Sequence, residues 1–165
     1  MDEKQTILLV DDSDDDLSLM QHACRAAHFK ASLQTVQNGE QAIAYLQGEG
    51  VYADRTKFPL PTVMLMDLNM PKMDGFRVLS WVRVQAGLKR LSIIVLTASA
   101  RESDVEQAFD LGANAYLVKP STMAALIAMI CCLRDWLEYN HFPPLQKTSP
   151  GSLVPEDAVR ANAED

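Results

Sequence analysis

The chain has 165 residues, with 48% hydrophobic and 22% charged. That is the balance of one globular domain able to bury a core without disulfide or metal staples. A formal net charge of −7 argues against nucleic acid as the main partner, because phosphate binding needs clustered Lys and Arg. No basic segment precedes the first apolar run, and the longest nearly uncharged helical stretch, Met123 to Leu133, falls short of the ~20 residues that span a bilayer. No signal peptide and no membrane partner are therefore expected. Cys24, Cys131 and Cys132 are odd in number and in no metal-ligand spacing, which fits a reducing cytoplasm better than a disulfide framework.

Thr6 to Val10 is a short continuous apolar run, the pattern of a strand buried on both faces. A helix follows, opened by Ser13 or Asp14 and carried by Leu17, Met20, Cys24 and Ala27. Asp14, Asp15 and Asp16 fall in its first turn, where carboxylates favour the positive end of the helix dipole. Ala31 to Val36 alternates as a second, edge strand, and Asn38-Gly39 caps a short helix through Ala42, Ile43, Tyr45 and Leu46. Gly48 to Pro61 is a long connection rich in Gly, Pro and charge.

Thr62 to Met66 is the third strand and Ser92 to Leu96 the fourth. The helix between them carries Phe76, Val78, Leu79, Val82 and Val84 and ends near Gly87. A fourth helix covers Glu102 to Leu111, stopped by Gly112. Ala115 to Val118 is the fifth strand, and a long last helix runs from about Ser121 to Tyr139. Residues 1–139 form one unit. Residues 140–165 hold Pro143, Pro144, Pro150 and Pro155 with little periodicity and read as a flexible tail.

Five strands alternating with five helices predict an α/β fold: a doubly wound, five-stranded parallel sheet in the flavodoxin-like order 2-1-3-4-5. Such sheets bind ligands beyond the carboxyl ends of their strands. Strand 1 ends in Asp11-Asp12, strand 3 in Asp67, strand 4 in Thr97 and strand 5 in Lys119-Pro120. Carboxylates ~4 Å apart repel by a few kcal/mol at an effective dielectric of ~20, so three in one crevice call for a proton or a cation. A hard divalent ion with oxygen ligands fits, Mg²⁺ first, with Lys119 balancing charge from the opposite side. The soft sulfurs of Met64, Met66, Met70 and Met73 read as packing, and His22, His28 and His141 show no ligand spacing.

Over roughly residues 4 to 138 the chain resembles the receiver domains of two-component response regulators. The matching residues are Asp11-Asp12, the run Asp67-Leu68-Asn69-Met70-Pro71-Lys72-Met73-Asp74-Gly75, Leu96-Thr97-Ala98 and Val118-Lys119-Pro120, each at the end of the proper strand. The resemblance implies that Asp67 accepts a phosphoryl group from a phosphohistidine on a partner sensor histidine kinase. It implies Mg²⁺ held by Asp12, Asp67 and the main-chain carbonyl of Asn69, with Asp11 helping directly or through water. Thr97 and Lys119 would bind phosphoryl oxygens, and the bond before Pro120 would be cis. Tyr116 would turn toward the space left as Thr97 moves inward, altering the surface of helix 4, strand 5 and helix 5.

Within that family the long insertion and the ending Asp135-Trp136-Leu137-Glu138 resemble the small stand-alone regulators that pair with bacterial phytochromes. The expected function is a single-domain regulator acting through protein contacts, not a turnover enzyme. An aspartyl-phosphate phosphatase or phosphotransferase would share this chemistry but usually carries its nucleophile after strand 1. An interaction module independent of phosphate is the other alternative. In the last helix Met123, Leu126, Ile127, Ile130, Leu133 and Leu137 form the stripe facing the sheet. Ala124, Ala125, Ala128, Met129, Cys131, Cys132 and Trp136 leave the other side apolar too, either for the tail to cover or for a homodimer through the last helix and strand 5.

Overall fold

The computed structural model describes residues 5–146 and 152–161. In chain order the elements are β1 (Thr6–Val10), α1 (Asp14–Ala26), β2 (Ser32–Val36), α2 (Gly39–Gln47), β3 (Val63–Met66), α3 (Gly75–Val84), β4 (Ser92–Thr97), α4 (Glu102–Asp110), β5 (Ala115–Val118), α5 (Met123–Tyr139) and α6 (Glu156–Ala161). The five strands form one parallel sheet in the order β2-β1-β3-β4-β5. This is the predicted doubly wound architecture.

Alternation along each strand builds two cores. Leu8, Val10, Met64, Met66, Ile93 and Val95 face α2 and α3, whereas Ile7, Leu9, Val63, Leu65, Ile94 and Leu96 face α1 and α5. β1, β3 and β4 are buried on both sides, which is why their sequences read as unbroken apolar runs. Ser13, Asn38, Asp74 and Thr122 each cap a helix by accepting a backbone N–H in the first turn.

The insertion between α2 and β3 is ordered by an aromatic trio and one arginine. Tyr45, Tyr52 and Phe58 pack with ring centroids 5.2–6.0 Å apart, and the Tyr45 hydroxyl donates to Pro59 O at 2.8 Å. Arg55 donates to the carbonyls of Tyr45, Phe58 and Leu46, so its guanidinium closes the C-terminal end of α2.

Two expectations need correction. The segment expected to be a flexible tail carries α6, which packs on α3, and the partly buried Leu153 and Val159 pack against the core there. Trp81 Nε1 donates to Val154 O at 3.1 Å, and Arg77 pairs with Glu156. Buried apolar and polar partners on α3 order a stretch whose own periodicity is too short to signal a helix. The expected cis bond before Pro120 is trans, like every other peptide bond among the described residues. The two isomers of an X–Pro bond differ by only ~0.5–1 kcal/mol, so a proline in the sequence does not select one.

Candidate functional site: an acidic crevice closed by Lys119

The hydrogen-bond ladder runs one residue past the strands and brings the predicted residues together. Asp11 N–H donates to Val36 O at 3.2 Å and Asp67 N–H to Val10 O at 2.9 Å, setting the two carboxylates side by side at the ends of β1 and β3. Lys119 N–H donates to Thr97 O at 2.8 Å, which ties the end of β5 to the end of β4. Gly75 makes the loop after β3 possible. A Cβ there would lie 2.6 Å from Asp67 O and 2.9 Å from Leu68 Cα, so only glycine lets the start of α3 lie against the backbone of Asp67.

Asp11, Asp12 and Asp67 each offer a carboxylate oxygen, all within 4.8 Å of one another. Asp11 and Asp67 are buried and Asp12 is exposed, so the cluster opens to solvent on one side. Lys119 Nζ lies 2.6 Å from Asp11 Oδ2, 2.7 Å from Asp16 Oδ2 and 3.1 Å from Asp67 Oδ2. Burial raises the Asp11 carboxyl above the ordinary aspartate range, against the opposing hydrogen bonds from Lys119 and the Ser13 N–H. Burial by itself would depress the Lys119 ammonium. The hydrogen bonds to Asp11 and Asp16 and the charges of Asp67 and Asp11 outweigh it and raise the group above the ordinary lysine value.

The donor set is hard oxygen throughout, with two buried anions and one exposed anion converging. It fits a divalent cation of the Mg²⁺ or Mn²⁺ kind and offers no sulfur or imidazole to a softer metal. Asn69, at the rim, donates from its backbone N–H to Asp67 Oδ1 (3.2 Å) and from its side-chain amide to Thr97 Oγ1 (3.5 Å). Thr97 is fully buried. From it a chain of contacts leads toward α4: Ser99 N–H approaches Thr97 Oγ1 (3.5 Å), Ser99 Oγ donates to Asp104 Oδ2 (2.5 Å), and the Tyr116 hydroxyl donates to Ser99 O (2.9 Å). Chiefly through burial, the Tyr116 phenol is raised above its ordinary range.

All the sequence-predicted positions Asp11, Asp12, Asp67, Asn69, Thr97, Tyr116 and Lys119 thus lie at one end of the sheet. Met64, Met66, Met70 and Met73 are buried in the core, as packing residues are. Sequence reasoning missed three contributors. Ser99 and Asp104 carry no motif. Asp16 was assigned to the helix dipole alone, yet it binds Lys119. The signal for it was present, since Asp16 precedes the buried Met20 by four residues and shares its inward-leaning face.

A parallel 2-1-3-4-5 sheet with this acidic crevice at its carboxyl end defines a doubly wound α/β domain of the flavodoxin-like kind. The family model of the response regulator receiver domain matches residues 7–131, and the chain belongs to that family. It is 36% identical to response regulator Rcp1 of Synechocystis sp. over 140 residues, 84% of this chain and 93% of that one. The phosphorylated cyanobacterial phytochrome response regulator RcpA superposes with a TM-score of 0.78 at 33% identity, covering 85% of this chain and 99% of that one. The Mn²⁺-bound form of Rcp1 superposes with a TM-score of 0.74 at 36% identity, covering 84% and 99%. The resemblance to regulators of the phytochrome type is therefore carried by most of both chains. No helix among the described residues is long and apolar enough to cross a membrane.

Proposed function

We propose that this chain is a phosphorylation switch: Asp67 accepts a phosphoryl group from a phosphohistidine of a partner histidine kinase, and the modified domain signals through altered protein contacts. The observation that carries the reading is the approach of Asp11, Asp12 and Asp67 within 4.8 Å under the single ammonium of Lys119. Phosphoryl transfer needs positioning and charge neutralisation more than covalent help, and this crevice offers both. A P–O bond to Asp67 forms as the P–N bond of the donor breaks, and the electron pair leaves with the imidazole, which takes up a proton.

Bound Mg²⁺, held by Asp11, Asp12, Asp67 and the main-chain carbonyl of Asn69, would neutralise developing charge on the transferring oxygens. Lys119 binds one phosphoryl oxygen, and Thr97 donates its hydroxyl to another after giving up the Asn69 amide. That movement passes through Ser99 to Tyr116 and Asp104, so the face of α4, β5 and α5 reports the event as a shift between two packings. The chain acts as a cytoplasmic signalling phosphoacceptor rather than a turnover enzyme, the nucleophile following β3 instead of β1. The relatives named for phytochrome regulation support a kinase of the phytochrome type. Val118 and Trp136, 45% and 41% exposed, with Ala124, Ala125, Ala128 and Cys132 also at the surface, support a homodimer through α5 and β5.

The test is intact-mass measurement after incubation with acetyl phosphate and Mg²⁺. Wild type gains one phosphoryl group and Asp67→Asn, folded as judged by circular dichroism, gains none. Labelling of the Asn variant at the wild-type rate would overturn the assignment.

A further inference from the structure

The first turn of α1 departs from ordinary capping, and the departure points at Lys119. Ser13 is the N-cap, and its Oγ accepts the Asp16 N–H at 3.2 Å. In a capping box the side chain at the position of Asp16, the third of the helix and there a Glu or Gln, folds back to the N–H of the cap residue. Here the Ser13 N–H is taken instead by Asp11 Oδ1 at 2.9 Å. With that donor occupied, the Asp16 carboxylate turns into the crevice and meets Lys119 Nζ at 2.7 Å, nearer than Asp67 at 3.1 Å.

A lysine ammonium has three N–H donors, and Asp11, Asp16 and Asp67 occupy them. Two of those partners have other duties. Asp11 and Asp67 belong to the trio fit for a divalent cation, and Asp67 is the acceptor. Cation and ammonium therefore compete for the same oxygens and repel each other across them. Asp16 is outside the trio, is fixed to a helix, and is the one partner the lysine can keep when a cation takes the other two.

We infer that Asp16 is a positioning residue: it holds the Lys119 ammonium on the α1 side of the crevice, so that Asp11 and Asp67 can bind a divalent cation and a phosphoryl group without losing the lysine. This rests on the phosphoacceptor reading of Asp67 for its link to phosphorylation, but the pairing acts on cation binding before any phosphoryl group arrives. It is distinct from the dipole role of its neighbours. Asp14 accepts from the side chain of Gln37, and Asp15 is exposed, so neither shares the lysine.

The experiment is a set of Mg²⁺ titrations by calorimetry on the unphosphorylated full chain, paired with rates of labelling by acetyl phosphate. Asp16→Asn weakens Mg²⁺ binding and slows labelling, each about five- to tenfold, the size of coupling found between contacting charges. Asp16→Glu recovers most of both. Asp15→Asn removes the same charge from the same turn and changes either by no more than about twofold, since exposed charges are screened. In a Lys119→Met background Asp16→Asn has little further effect. An equal effect of Asp16→Asn with and without the lysine, or an effect matched by Asp15→Asn, overturns the inference, because bulk charge would then explain it. If the Mg²⁺ cycle couples Asp16 to Lys119 while wild type takes no label, the pairing stands and the phosphoacceptor reading alone falls.

Discussion

The side chain of Gln85 grips both backbone polar groups of Val154: its Nε2 donates to Val154 O at 2.9 Å and its Oε1 accepts the Val154 N–H at 2.8 Å. Gln85 is fully buried, so its amide has no water to turn to in place of these bonds. This two-way clamp, with the Trp81 indole on the same carbonyl, holds the chain entering α6 against α3. Gln85→Leu keeps the bulk and removes the clamp, leaving the Trp81 bond and the Arg77–Glu156 pair to tie the segment to α3. Val154 is itself exposed, so we expect a loss of about 0.5–1.5 kcal/mol for each of the two hydrogen bonds rather than the penalty of a buried orphan. Denaturant midpoints measure that loss, and amide exchange should rise selectively at residues 154–161 while β1 and β3 stay protected. Uniform exchange across the domain would show that the clamp does something other than dock α6.

Gly75→Ala tests the close approach beneath the acceptor. The added methyl would meet Asp67 O at 2.6 Å, and that atom is backbone, so relief requires the loop after β3 or the start of α3 to move. Overpacking of this kind costs about 1–3 kcal/mol. Because the displaced group is the peptide of Asp67, the proposed acceptor, labelling by acetyl phosphate should fall more than stability does. Thermal midpoint and labelling rate, measured on the same preparation, separate the two.

The sheet order and the site positions were legible because they depend on strong local signals. Buried parallel strands show as unbroken apolar runs, and the residue after each strand must point at the ligand-binding end. Asp11, Asp67, Thr97 and Lys119 follow from that rule alone. The features that escaped depend on partners distant in sequence. Asp16 looked like a dipole residue because its destination, Lys119, is 103 residues away. α6 has only six residues and owes its place to Arg77 and Trp81 on α3 and to Gln85 at the C-terminal cap of α3. The insertion looked like an irregular loop because its order comes from Arg55 reading three carbonyls, which no periodicity announces.

Tyr45 makes the insertion sensitive to alkali. Burial, partly offset by the nearby Arg55 charge, pushes its phenol up to about 12, against an ordinary value near 10. The folded state therefore favours the neutral phenol. Its contribution to stability is whole below about pH 10 and is lost as pH rises through the folded value near 12. We expect a late tyrosinate absorbance step in that window, accompanied by loosening of the segment held through the Pro59 carbonyl. Tyr45→Phe removes the late step and costs stability at neutral pH through the lost hydrogen bond, about 1 kcal/mol. A Phe variant that keeps the late step would assign it to another tyrosine.

Lys119→Met exchanges the ammonium for an apolar chain of similar length and leaves Asp11, Asp16 and Asp67 facing one another. Asp11 and Asp67 have side chains only 10% exposed, so their repulsion is poorly screened. Without divalent ions the variant should lose stability by about 3 kcal/mol, at the low end of the cost of breaking a buried charge pair. The sign reverses for cation binding. Removing a positive charge that competes for the same oxygens raises Mg²⁺ affinity, so Mg²⁺ should raise the thermal midpoint of the variant more than that of wild type. Labelling by acetyl phosphate should nevertheless fall, because tighter cation binding does not replace the donor proposed to meet a phosphoryl oxygen. Thermal scans over a Mg²⁺ series, with labelling rates at saturating Mg²⁺, check both halves. Weaker Mg²⁺ binding in the variant would mean that Lys119 builds the cation site instead of competing with it.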